Sequence, residues 1–299
     1  MNDINSISKI IESIKQHFQV KDWNRFKLWF RGQPEYKYDL VPPVFRQGKD
    51  FENVLYWESN MFREFLLLSE AQPFYTKSTF DKLVLMQHYG IPTRLLDWTE
   101  NLIVGIYFSI YKKGLSGFQF SADNDSALFV LDPVSLNRQS EKKEGIFTDG
   151  NIEVIIRASL SVINTIEDYS KQSDIKKLAH NNNVCLDIRD GKFIHPSLQN
   201  SIETAIAVFP QQNNPRLINQ KGVFTLHGGK VLGDDKLIIP KSLQENNTTN
   251  LLKICISKEH KKSIKEELDY CGINESTLFP ELSIQSNYIK EKWTDKISN

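Results

Sequence analysis

Chemistry first becomes possible in this chain at Arg31, Gly32 and Gln33. Over residues 25–31, Phe26, Leu28 and Phe30 fall on one face while Lys27, Trp29 and Arg31 fall on the other, which is the period of a strand. Gly32 ends that run. A guanidinium at a strand end grips phosphate or carboxylate through its planar fork, with the Trp29 ring near enough to stack. The competing reading is an ion pair that locks the sheet edge. Gly32 permits a tight turn or a close backbone approach, and Gln33 is the amide companion.

A denser cluster runs from Gln87 to Thr99. His88 closes a helix, where it serves as a general acid or base, as a phosphate donor, or as a cation capping the helix C-terminus. Tyr89 is either a ligand contact or a half-buried packing residue. Pro92 holds Ile91 extended, so Thr93 and Arg94 are presented rigidly. Arg94 either completes an anion clamp with Arg31 or forms a salt bridge with Asp97, since buried charges need partners. Asp97 and Glu100 stand in capping-box spacing before an apolar helix, which makes Asp97 a cap or a working carboxylate. Trp98 is a stacking wall for a flat ring, or core. Farther on, Gln220 and Phe224 share strand parity with Gly222 and Leu226. An amide on that otherwise apolar face demands a partner, unless Gln220 enters the strand at a solvent edge. His227-Gly228-Gly229 follows as a hairpin turn or as bare backbone open to a ligand.

Other chemistries find no support. The chain has no Walker loop, no GxGxxG and no GxSxG. His180, Cys185 and His195 are loosely spaced and contain no CxxC or HxxxH pair, so no metal is expected. The 299 residues carry 37 basic and 37 acidic side chains, and residues 1–150 alone hold 18 and 19. That even balance argues against a polybasic nucleic-acid surface, an acidic tail or an electrostatic membrane binder. Cys185, Cys255 and Cys271 make no paired framework and read as buried, reduced thiols. The longest apolar run, Leu102 to Tyr111, is about half of the ~20 residues that span a bilayer. A cytoplasmic, soluble protein is the expectation.

The elements that must position these residues follow from periodicity. Ile7, Ile10, Ile11, Ile14 and Phe18 make a first amphipathic helix capped by Asn5 or Ser6. Further helices are expected over about 51–70, from Thr79 to His88, and from Asp97 through Ile110. Gly90 and Pro92 stop the second of these. Beyond Ala127 the runs 127–131, 153–157, 205–209, 223–227 and 251–256 are rich in β-formers, and Gln211 to Pro215 is loop. A last helix spans about 258–270, capped by Ser257 and closed by Gly272. The class is α+β, a helix-rich N-terminal third with a mixed or antiparallel sheet, in a single unit over 1–299 with its core at about 25–285.

Three segments resemble the FRG domain, a bacterial family named for a Phe-Arg-Gly motif. They are Phe30-Arg31-Gly32 with Gln33, the run from Gln87 to Thr99 continuing to Ile106-Tyr107-Phe108, and Arg216 with Gln220, Gly222 and Phe224. Leu278-Phe279-Pro280-Glu281-Leu282 matches the ending common in that family. The layout also resembles that of ADP-ribosyltransferases, with Arg31 in the place of the first-strand residue that binds NAD and Gln220 to Phe224 in that of the late strand. This sequence reads Gln220 or Gly222 where that superfamily has a glutamate, and an amide supplies no negative charge. The resemblance implies an ADP-ribosyltransferase-like fold and an enzyme that takes NAD or a related nucleotide as substrate. His88, Arg94 and Gln220 would be catalytic, and Arg31, Gly32, Gln33, Tyr89, Thr93, Asp97, Trp98 and Phe224 would bind substrate. It further implies a toxin or phage-defence effector with a protein or RNA target. The alternative is a non-catalytic domain that senses a nucleotide or an RNA end, and a nuclease using His88 and Asp97 lacks a carboxylate cluster.

Overall fold

The computed structural model describes residues 4–18, 28–46, 54–69, 78–114, 117–141, 188–189, 192–193, 205–212, 214–228, 230–232, 237–239, 243 and 250–297. In chain order these begin with α1 (Ile7–Phe18), β1 (Trp29–Gln33), a 3-10 turn (Pro43–Arg46), α2 (Val54–Ser69), α3 (Thr79–His88), β2 (Leu95–Thr99) and α4 (Leu102–Ile110). Then come β3 (Tyr111–Lys113), β4 (Phe118–Phe120), β5 (Ser126–Leu131), α5 (Pro133–Glu141), β6 (Ile188–Arg189), β7 (Lys192–Phe193) and β8 (Ile206–Val208). The rest are α6 (Pro215–Gln220), β9 (Gly222–Leu226), β10 (Lys230–Leu232), β11 (Leu237–Ile239), β12 (Leu251–Ile256), α7 (Lys261–Tyr270), α8 (Glu275–Leu278) and α9 (Leu282–Ile297). The protein is α+β.

Six strands form one antiparallel sheet in the order β12-β5-β1-β2-β9-β8. Both of its faces are covered. Trp29, Leu96, Trp98, Phe129 and Val223 pack into a core on one side, while Phe30, Leu128, Val130 and Ile254 join α1, α4 and α7 on the other. Leu95, Ile206, Val208, Phe224 and Leu226 extend that second face under α3. Gly32 lies within β1 rather than ending it. The strand pairs with β5 over all five residues, and α4 crosses so close that a Cβ on Gly32 would come within 2.2 Å of the Gly105 carbonyl oxygen and the Ser109 nitrogen. The glycine is there for helix-on-strand contact.

Asp97, with Trp98 beside it in β2, and Gln220 sit in elements other than those expected. Asp97 is not a helix cap but the centre of β2, opposite Phe224 of β9. Period-two burial of Leu95, Leu96 and Trp98 on two faces outweighs the capping-box spacing, and the α4 cap is Asn101, whose Oδ1 accepts from the Ile103 N–H at 3.0 Å. Gln220 is the last residue of α6, not a strand residue. Asn214 caps that helix, Pro215 opens it, and Lys221 turns left-handed (φ 49°) before β9 begins. Helix α3 spans Thr79–His88, with Ser78 as its cap and Gly90 at φ 84° beyond its end. The expected last helix starts as a 3-10 turn at Lys258–His260, and α8 and α9 follow it. The expected 153–157 strand lies outside the described residues, as do Cys185, His180 and His195. Cys255 is partly buried but Cys271 is exposed, because it caps α7 at the Gly272 turn. Among the described residues no helix is long and apolar enough to cross a membrane.

Candidate functional site

The ladder between β1 and β2 consists of the single pair Phe30 and Thr99. Beyond it the strands part, and a cleft of about 900 Å³ opens. Arg31 stands at the parting. Its Nη1 donates to the main-chain carbonyl of Asp97 at 2.7 Å and lies 3.8 Å from that residue's carboxylate Oδ2. Burial pushes the Arg31 guanidinium down to about 10, Asp97 opposes the shift and Arg46 adds to it, so Arg31 is a cation at neutral pH. Arg46, from the 3-10 turn, lines the same cleft with its Nε donating to the Val41 carbonyl at 2.7 Å. Burial lowers Arg46 as well, against Asp97 and Tyr38. Two guanidiniums in one partly dry cleft favour an anion between them.

The Asp97 carboxylate is held from the α3 side. Gln87 Nε2 donates to its Oδ1 at 2.7 Å, and the Gln87 carbonyl oxygen in turn accepts from the Thr93 hydroxyl. Opposite, α3 meets the C-terminal helices. His88 Nε2 lies 3.5 Å and Arg216 Nη1 3.7 Å from the same oxygen of Glu281, and the Arg216 guanidinium rests 4.7 Å from the Phe279 ring centre. Burial lowers His88 below its ordinary value, Arg216 adds to this, and Glu281 opposes it. His88 is therefore neutral at pH 7. Gln220 Nε2 is spent on the Leu278 carbonyl at 3.2 Å.

Of the residues expected from sequence, Arg31, Gly32, Gln33, His88, Asp97, Trp98, Gln220 and Phe224 line this one cleft. Trp98 does so from the core, being 3% exposed with its Nε1 donating to Thr225 Oγ1 at 3.0 Å. Gln33 is buried, with Nε2 on the Asp39 carbonyl at 3.4 Å. Three residues stand apart. Tyr89 is exposed and outside the cleft. Thr93 is buried and reaches the site only through Gln87. Arg94 is buried and its guanidinium pairs with the buried Glu58, whose other oxygen accepts the Arg94 main-chain N–H at 2.8 Å. The Arg31–Arg94 clamp and the Arg94–Asp97 bridge are both corrected by that geometry. Arg46, not Arg94, shares the cleft with Arg31, and Asp97 faces Arg31. His227 is no open turn residue: it is buried against Thr225 Oγ1 at 2.7 Å, and burial with help from Arg31 pushes it down to about 3.

Sequence reasoning passed over Arg46, Glu281 and the role of Gln87, and named Arg216 only as part of the family resemblance. Gln87 lay inside the quoted run and Glu281 inside the quoted ending, so both were within reach. Arg46 carried no local signal beyond the Pro42-Pro43 loop. Among the described residues no group of three His, Cys, Asp or Glu side chains could hold a metal ion.

The fold and site define an α+β protein whose antiparallel sheet parts around a cleft lined by arginines and aromatic rings. Residues 26–116 match the family model of the FRG domain, and the chain carries that domain there. The match takes in Phe30-Arg31-Gly32, Arg46 and the whole run from Gln87 to Thr99. Arg216, Gln220 and the Leu278–Leu282 segment lie beyond it. No curated protein and no solved structure matches the chain.

Proposed function

We propose that the cleft takes a nucleotide of the NAD class and that the protein acts on its glycosidic bond, in the manner of the ADP-ribosyltransferases it resembles. The observation that carries this reading is the convergence of Arg31 and Arg46 on one cleft whose walls also hold Phe45, Phe108 and Phe118. A diphosphate relieves the repulsion between the two guanidiniums and accepts hydrogen bonds from both. The rings supply stacking surface for a base. Departure of a neutral nicotinamide leaves an oxocarbenium-like sugar, which a nearby carboxylate stabilises. Gln220 cannot do that. Asp97 can, and it stands in the ladder directly opposite Phe224 of the late strand. His88, held neutral by burial, is the base that takes the proton of the attacking acceptor, a protein or RNA group in a toxin or phage-defence setting, or water. One observation favours the alternative of a non-catalytic sensor: the Asp97 carboxylate is already engaged by Gln87 and faced by Arg31.

Calorimetry with NAD and ADP-ribose, run beside a nicotinamide-release assay, tests the reading. Wild-type protein binds both ligands, and Arg31→Lys binds about ten-fold to a hundred-fold more weakly because the planar fork is lost. Asp97→Asn keeps most of the diphosphate affinity and loses nicotinamide release. Failure of the wild type to bind either ligand overturns the proposal, and binding without release by the wild type selects the sensor.

A further inference from the structure

Gln87 reaches Asp97 as the last link of a directional chain. The Leu95 main-chain N–H donates to Thr93 Oγ1 at 3.2 Å. The single hydroxyl proton of Thr93 is then free to go to Gln87 Oε1. Gln87 Nε2 in turn donates to Asp97 Oδ1 at 2.7 Å. Flipping the amide would set its oxygen against a carboxylate that only accepts. The carboxylate thus sets the orientation of the amide, and the Thr93 hydroxyl donates to the oxygen so placed. Its nitrogen carries two hydrogens, and the second meets no acceptor among the described residues. Asp97 Oδ2 lies 3.8 Å from Arg31, beyond hydrogen-bond length, on a side chain that is 58% exposed. Gln87 and Asp97 both line the cleft.

We infer that the Gln87 N–H and Asp97 Oδ2 form a donor–acceptor edge of fixed polarity that recognises a neutral group able to accept and donate at once, a vicinal diol or a carboxamide. Gln87 is then the specificity-determining residue of the cleft, and Thr93 is the positioning residue that anchors its amide oxygen. The inference rests on the nucleotide reading and adds to it. Arg31 and Arg46 hold the anionic part of the ligand, while this edge selects among anions by the uncharged group they carry. An unpaired donor left in such a site discriminates strongly against a ligand lacking the acceptor.

Calorimetry with inorganic pyrophosphate, ADP-ribose and NAD separates the terms. Gln87→Met keeps the length of the side chain and removes the amide. It should leave pyrophosphate affinity unchanged and weaken the nucleotides about ten-fold. Equal weakening of ADP-ribose and NAD assigns the edge to a diol, and weakening of NAD alone assigns it to the carboxamide. Thr93→Val frees the amide and should weaken the same ligands by a smaller factor, with Thr93→Ser restoring them; a thermal melt of each variant confirms that it is folded. Wild-type binding of the nucleotides with Gln87→Met indifferent, or weakened equally for pyrophosphate, overturns this inference alone. A wild type that binds none of the three overturns the nucleotide reading and this one with it.

Discussion

Across the cleft, two walls hold their charges differently. On the wall built by β1, β2, α3 and the 3-10 turn, Arg31, Gln87 and Arg46 each make a 2.7 Å hydrogen bond, and all three lie within the matched FRG domain. On the other wall, His88 at the end of α3 and Arg216 of α6 share one oxygen of Glu281 at 3.5 and 3.7 Å, while Glu281 Oε2 and His88 Nδ1 are buried without a partner among the described residues. The first wall is preorganised, its side chains oriented before any ligand arrives. The second is an ion cluster with unspent hydrogen-bonding capacity, closed by segments far away in sequence. Preorganisation sits where the ligand's charge would be gripped, and the looser wall sits where His88 and Arg216 are backed by Glu281 from behind the cleft lining.

The sharpest way to break this contrast is to remove the foundation of the first wall. Glu58 and Arg94 are 0% and 2% exposed as side chains, and Glu58 also anchors the main chain at the start of β2. Glu58→Ala strands a buried guanidinium and should cost about 3–5 kcal/mol of stability in urea unfolding. A loss below about 1 kcal/mol would show that the pair carries no structural weight. The second wall should respond far less. Glu281→Gln is expected to change stability by about 1 kcal/mol or less, as for a half-exposed ion pair.

The same substitution sharpens the comparison through pH. In the folded protein His88 lies below its ordinary value of 6.5 because of burial and Arg216, with Glu281 opposing. Removing the Glu281 charge should lower His88 further in an NMR titration. A His with a depressed folded value contributes stability that is present above its ordinary value and lost as pH falls toward the folded one. Glu281→Gln should therefore be more acid-sensitive than the wild type below about pH 6.5. An unchanged or raised His88 titration would contradict the assigned geometry.

Periodic elements were readable from sequence because their signals are local. Helix α3 ends at the expected residue, and β5 and β12 lie where apolar β-formers cluster. Asp97 misled because one spacing serves two structures. Asp97 and Glu100 satisfy a capping box, while Leu95, Leu96 and Trp98 satisfy a buried strand, and only pairing with β9 decides between them. Gln220 misled because the Asn214-Pro215 helix start was read as loop. Arg46 and Glu58 were beyond reach for another reason, and Glu281 was visible in the quoted ending without its partners. Glu58 and Glu281 act on partners 36 residues or more away in sequence, Arg46 is brought to Arg31 by the 3-10 turn, and no local pattern encodes such meetings. The cleft was legible as a set of residue types, and its pairings were not.

The central claim is that Arg31 and Arg46 hold one anion between them. A double-mutant cycle on ADP-ribose affinity, using Arg31→Gln, Arg46→Gln and the double variant, tests it most directly. Each single change should weaken binding at least ten-fold, with the double variant losing clearly less than the product of the two, as expected when both cations act on one diphosphate. Arg46→Gln binding as tightly as the wild type, or strictly independent losses, would contradict the claim.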